Sequence, residues 1–171
     1  MESTVAFGLL LWLTPSGEGG RRQPIALGRG DPGRRFRYRP GWRLPTHPAQ
    51  DQVGAPVFGF DRDVIRPGGE PAKAIVVLPR PGAAEWLERV DPGAALLMYE
   101  GSSRCGTARV VWRRSAHWPV PDGQAALYDL WLAGGPDPTG CPPAHRPPQV
   151  DRESYLCSNR GRSSAVGRGV S

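Results

Sequence analysis

The chain has 171 residues, of which 23 are Gly and 20 are Pro, so about a quarter of the backbone is turn-forming. In a helix interior a Gly costs about 1 kcal/mol and a Pro about 3 kcal/mol, which excludes a long-helix protein. What remains is a turn-rich all-β domain, a disordered chain, or the two joined end to end. Basic residues number 22 against 16 acidic, giving a net charge of +6, and every basic residue except Lys73 is Arg. A guanidinium fork suits phosphate and stacked bases better than an ammonium does. A codon bias toward Arg gives the same composition, so distribution along the chain has to separate the two.

In chain order, the apolar run 5–13 comes first. It is too short to span a bilayer. No basic residue precedes it and no small-residue cleavage site follows, so it reads as a buried strand rather than a signal segment. After the turn Pro15-Ser16-Gly17, residues 34–42 alternate basic and aromatic side chains, and 44–55 reads as a Pro-rich loop. Further strands are expected at 57–60, 73–78, 95–99 and 104–112, the last two joined by Glu100-Gly101-Ser102-Ser103. Pro67-Gly68-Gly69 and Asp91-Pro92-Gly93 are turns in which Pro fixes φ and Gly supplies a positive φ. About six strands without a long helix between them indicate an all-β barrel or sandwich.

Composition shifts near residue 114. Leu, Ile, Val and Phe make up 26 of the first 114 residues and 8 of the last 57. The second figure is too low for an independent core. The sequence therefore predicts a domain over 4–114 and a low-complexity tail over 115–171, largely disordered from 134 on. Within it a short helix is expected at 123–133, capped by Asp122, stopped by Gly134-Gly135, and docked through Leu127, Leu130 and Trp131.

The charge is concentrated. Between Arg21 and Arg43 lie eight Arg (21, 22, 29, 34, 35, 37, 39 and 43) and one acid, Asp31, for +7 over 23 residues. Interleaved with Phe36, Tyr38 and Trp42, such a stretch can track phosphates and stack bases. Alternation equally allows a solvated Arg face with the aromatics turned to the core.

Chemistry-bearing sets are sparse. The three cysteines, Cys105, Cys141 and Cys157, imply no disulfide framework and fit a reducing, cytoplasmic setting. Cys141 and His145 have a C-x3-H spacing without a second ligand pair, so no metal site is expected. There is no phosphate-binding GxxxxGK[ST] loop, hence no GTP bound by this chain. Asp61, Asp63, His47 and His117 fall in no catalytic pattern. No catalytic residue and no cofactor are expected.

These motifs occur in order: Glu18-Gly19-Gly20-Arg21-Arg22-Gln23-Pro24-Ile25, Tyr38-Arg39-Pro40-Gly41-Trp42, Val64-Ile65-Arg66-Pro67-Gly68, Tyr99-Glu100-Gly101, and Gly106-Thr107-Ala108-Arg109-Val110-Val111. In this the chain resembles the C-terminal domain, domain III, of elongation factor Tu. The resemblance implies a six-stranded antiparallel β-barrel that contacts the T-stem of aminoacyl-tRNA and packs on a GTPase domain. It places Glu100 and Gly101 where the family's closing hairpin touches that stem, Arg21 on the arginine of the EGGR motif and Arg39 on that of the YRP motif. With the basic stretch, the expected nucleic-acid surface is Arg21, Arg22, Arg34, Arg35, Arg37, Arg39, Arg43, Glu100 and Gly101. The chain departs from the family pattern at Ser102 and Ser103, in the inserted segment 27–37, and in lacking the strand that follows Tyr38-Arg39-Pro40. The functional expectation is a non-enzymatic module that binds tRNA or another RNA. The alternative is a module that docks on a GTPase or another protein with no nucleic acid involved. No membrane partner is expected.

Overall fold

The computed structural model describes residues 2–27, 32–78 and 90–139, with side chains from Thr4 onward. The strands are β1 (Glu2–Leu13), β2 (Ile25–Ala26), β3 (Gly41–Arg43), β4 (Val53–Gly54), β5 (Val57–Phe60), β6 (Val64–Ile65), β7 (Ala72–Leu78), β8 (Ala95–Glu100) and β9 (Ser103–Trp118). Among the described residues one α-helix, α1 (Asp122–Leu132), follows them. The main sheet is antiparallel in the order β4-β3-β8-β9-β1-β7-β5, and β2 pairs with β6 in a separate two-stranded sheet.

This corrects the closed six-stranded barrel. The nine described strands form two open sheets, and the fold gives no support to the resemblance with elongation factor Tu. Two prolines account for the open ladder. β4 and β5 stand at its two ends yet are consecutive in the chain, separated by Ala55-Pro56. Pro40 and Pro56 have no N–H to donate. The segments around them therefore meet through isolated bonds, Ala55 N to Pro40 O at 3.1 Å and Val57 N to Tyr38 O at 2.8 Å, instead of a continuous ladder. The sheet still curves strongly, because Trp42 of β3 and Val57 of β5, near opposite ends of the order, are buried in one cluster.

The expected strand over 34–42 is the largest local departure. A 3-10 turn occupies Pro32–Arg34, Phe36 takes a left-handed φ of 63°, and only Gly41–Arg43 is strand. The turn directs the Phe36 ring against Trp118 (centroids 4.8 Å apart) and Phe58 (5.6 Å). Aromatic burial outweighs the local preference for extended backbone there.

The main sheet packs a core on each face. Odd-numbered β1 residues Val5, Phe7, Leu9, Leu11 and Leu13 enter the first core with Trp42, Leu96, Met98, Ala108 and Val110. Ala6 on the opposite face joins the second core with Ile75, Val77, Trp112, Tyr128 and Trp131. Strand periodicity gives β1 its two faces. In β9 a bulge resets the phase: Leu9 pairs with Val110 but Gly8 pairs with Trp112, so Val111 is the extra residue. Ala108 and Val110 before it face the first core, and Trp112 and Ala116 after it face the second.

β9 continues past 114 to Trp118, and α1 lies on the second core. The helix buries Ala125, Tyr128, Trp131 and Leu132. Leu127 and Leu130, expected on the docking face, point to solvent instead, 42% and 50% exposed. Arg35 holds the helix through Asp129 at 2.5 Å, and Lys73 donates to the Trp131 carbonyl at 3.2 Å. The tail over 140–171, including the Cys141–His145 pair and Cys157, and also Arg29, lies outside the described residues. Among those described, no helix is long and apolar enough to cross a membrane.

Candidate functional site

The residues expected to form one Arg surface go to separate places. Arg21 leaves the turn after Ser16–Glu18 and forms an ion pair with Glu100. Its guanidinium also donates to the Tyr38 hydroxyl at 3.3 Å and, through Nε, to the Gln23 carbonyl at 2.7 Å. Tyr38 in turn donates to the Glu100 carboxylate at 2.7 Å. Three expected motifs thus converge on an Arg21–Glu100–Tyr38 cluster that ties the 19–23 loop to the β8–β9 hairpin. Gly101, at a left-handed φ of 61°, forms the hairpin turn, and its carbonyl accepts from Gln52 Nε2 at 3.2 Å.

Arg35 is committed to Asp129 and lies 4.6 Å over the Phe58 ring. Arg43 donates to the Tyr99 hydroxyl and to the His47 carbonyl, its guanidinium 5.0 Å over the Tyr99 ring. Arg22, Arg34, Arg37 and Arg39 lie on turns and irregular backbone, all four exposed. No continuous basic stripe results, which corrects the expectation of RNA binding through one. The reason is local: the break at Phe36 and Pro40 destroys the strand alternation that would have aligned the guanidinium groups.

A cleft of about 450 Å³ lies beside the Arg21 cluster, lined by Gly20, Arg21, Arg22, Glu100, Ser103 and Cys105. Its chemistry is passive. Burial, then the nearby Glu100 carboxylate, pushes the Cys105 thiol up to about 11, and the thiol contacts the Met98 carbonyl at 3.5 Å. A thiol in that state is protonated at neutral pH and is a poor nucleophile. Burial and the hydrogen bond to Glu100 raise Tyr38 above the ordinary phenol range as well. Among the described residues no three His, Cys, Asp or Glu side chains are grouped to hold a metal.

A different surface stands out on the outer face of the main sheet. Helix α1 covers only the part around Ala6, Ile75, Val77 and Trp112. Beyond it, register defines three further rows, Lys73–Leu10–Arg109–Ala95, Trp12–Thr107–Leu97–Arg43 and Arg104–Tyr99–Gly41, in which Trp12, Ala95, Arg104 and Arg109 are exposed, Leu97 and Gly41 are buried, and Lys73 meets Trp131 of α1. Directly opposed residues share a face. Trp12 is 37% exposed and borders a cleft of about 520 Å³ with Pro15, Glu18, Gly68, Arg104 and Thr107. Gly68 donates its N–H to the Leu13 carbonyl at 3.0 Å from a left-handed φ of 69°, holding that wall of the cleft against the end of β1. Arg104 and Arg109 are exposed.

Trp12 does not stand out in the sequence because 5–13 looks uniformly apolar. The available signal was period two: Leu9, Leu11 and Leu13 face inward, so Leu10 and Trp12 face out. No family model matches the chain, and no curated protein matches it either.

Proposed function

We propose that this chain is a non-enzymatic protein-interaction module that docks its partner on the outer face of the main sheet, around Trp12. The supporting observation is the half-covered face. A large aromatic is left 37% exposed at the rim of a cleft, on strands whose other face is fully packed. Exposed aromatics seated in concave, rigid surroundings are where protein interfaces concentrate their binding energy. The scaffold suits that role, since β1 pairs along its length with β9 and holds Trp12 on regular backbone.

Site-specific photocrosslinking in the source cell tests this reading. A benzoylphenylalanine in place of Trp12 should yield discrete protein adducts that nuclease treatment leaves unchanged. The same probe in place of Arg37, on the other side of the Phe36 turn, should yield none of them. Adducts at 37 and none at 12 would place the partner elsewhere and defeat the proposal.

A further inference from the structure

The docking surface around Trp12 has a charge pattern that specifies its occupant. Resting on that docking role, we infer that the outer face receives an acidic, apolar segment of a partner protein, with carboxylates over Arg104 and Arg109 and an apolar side chain against Trp12.

These three rows carry four cations, Lys73, Arg109, Arg43 and Arg104, against a single carboxylate in the adjoining cleft, Glu18. Two of these are already used within the chain: Lys73 on the Trp131 carbonyl, and Arg43 on Tyr99 and His47. Arg104 and Arg109 have no hydrogen-bond or ion-pair partner among the described residues. They stand on either side of Thr107, whose opposite number on β1 is Trp12. Cationic heads therefore flank an indole on a rigid sheet. Guanidinium–carboxylate pairs are geometrically specific and stronger than neutral hydrogen bonds. An apolar group in the cleft beside Trp12 would seal them from water. A basic partner is disfavoured both by these rows and by the net charge of +6.

A nucleic-acid strand fits the same face poorly. Base stacking needs several open rings along the groove. Trp12 is the one large aromatic of these rows with more than a third of its surface open, while the Tyr99 ring carries the Arg43 guanidinium. Between them lie the half-buried Leu10 and Thr107, which suit an aliphatic or aromatic side chain rather than a base.

The test is a selection from phage-displayed random short peptides on the immobilised full chain, with Trp12→Ala as the counter-selecting variant. Enriched peptides are then titrated by fluorescence anisotropy from about 50 to about 300 mM salt. The expected result is enrichment of Asp and Glu beside Leu, Ile or aromatic residues. Affinity should drop roughly tenfold or more in an Arg104→Glu/Arg109→Glu double variant, and fall with salt. Both arginines are exposed, so that variant should retain the wild-type near-UV circular dichroism, which separates lost binding from lost folding. Neutral or basic peptides that still depend on Trp12 would overturn the acidic assignment and leave the docking surface standing. Displacement of the selected peptides by an RNA oligonucleotide at physiological salt would overturn the assignment in favour of a nucleic-acid ligand. If no Trp12-dependent peptide is recovered, both the assignment and the docking surface fail.

Discussion

Gly8 shows how tightly single positions are set. A Cβ built there would lie 2.1 Å from Trp112 Nε1, because the indole of β9 lies against the β1 backbone across the sheet. Trp112 is 1% exposed and stacks on Tyr128 at 5.8 Å, so it has no room to retreat. Gly8→Ala should therefore destabilise the fold by about 1–3 kcal/mol, the usual cost of overpacking a filled site. Gly54 is the control: a Cβ there meets nothing within 4 Å. Gly54→Ala should stay within about 0.5 kcal/mol of the parent in the same urea titrations. Arg21, Tyr38 and Glu100 form a cluster of a different kind. The pair is partly open, with side-chain exposures of 19% and 37%, so solvent screens it. Glu100→Gln should cost no more than about 1 kcal/mol.

Among the elements, α1 separates what packing requires from what periodicity allows. Trp131→Ala should cost about 3–5 kcal/mol, since it empties a site bordered by Trp112 and the Lys73 ammonium. Leu127→Ser on the solvent side should stay within about 0.5 kcal/mol. Equal losses from the two changes, measured by urea unfolding, would mean the helix is docked by another face. The docked face is ambiguous in the sequence. Leu127, Leu130 and Trp131 have helical spacing, but so do Ala125, Tyr128 and Leu132, and both stripes are apolar. Only the complementary surface of Phe58 and Trp112 chooses between them. Strands bounded by clear apolar runs were legible for the opposite reason. Ile75, Val76 and Val77 are buried on both faces of β7, and Val57–Phe60 is one short run between turns. Residues 34–42 failed because alternation is a local pattern, whereas the φ of 63° at Phe36 serves contacts with Phe58 and Trp118 far away in sequence. The candidate site was hidden by the same ambiguity as the helix: an apolar run hides which of its residues the rest of the chain leaves uncovered.

At the scale of the whole molecule, one sheet supports two cores, and each holds ionisable groups kept neutral by burial. Cys105 and Tyr38 lie at the edge of the first core, and Tyr128 lies within the second. Burial raises all three: Cys105 to about 11, Tyr128 to about 12, and Tyr38 above its ordinary range. In the unfolded chain the same groups ionise near 9.0 for the thiol and 10.0 for the phenols. Each group thus holds its proton more tightly when folded. Its contribution to stability is complete below the unfolded value and is lost as pH rises toward the folded one. Stability should therefore be level up to about pH 8 and fall progressively from about pH 9 to pH 11. Thermal melts across that interval check the slope. The Tyr128 hydroxyl is buried without a hydrogen-bond partner among the described residues, so Tyr128→Phe should cost little at neutral pH. The same variant should make the alkaline decline shallower by one titrating group. A melting temperature level to about pH 11, or a Tyr128→Phe profile parallel to the parent's, would show that the second core does not hold that phenol away from water.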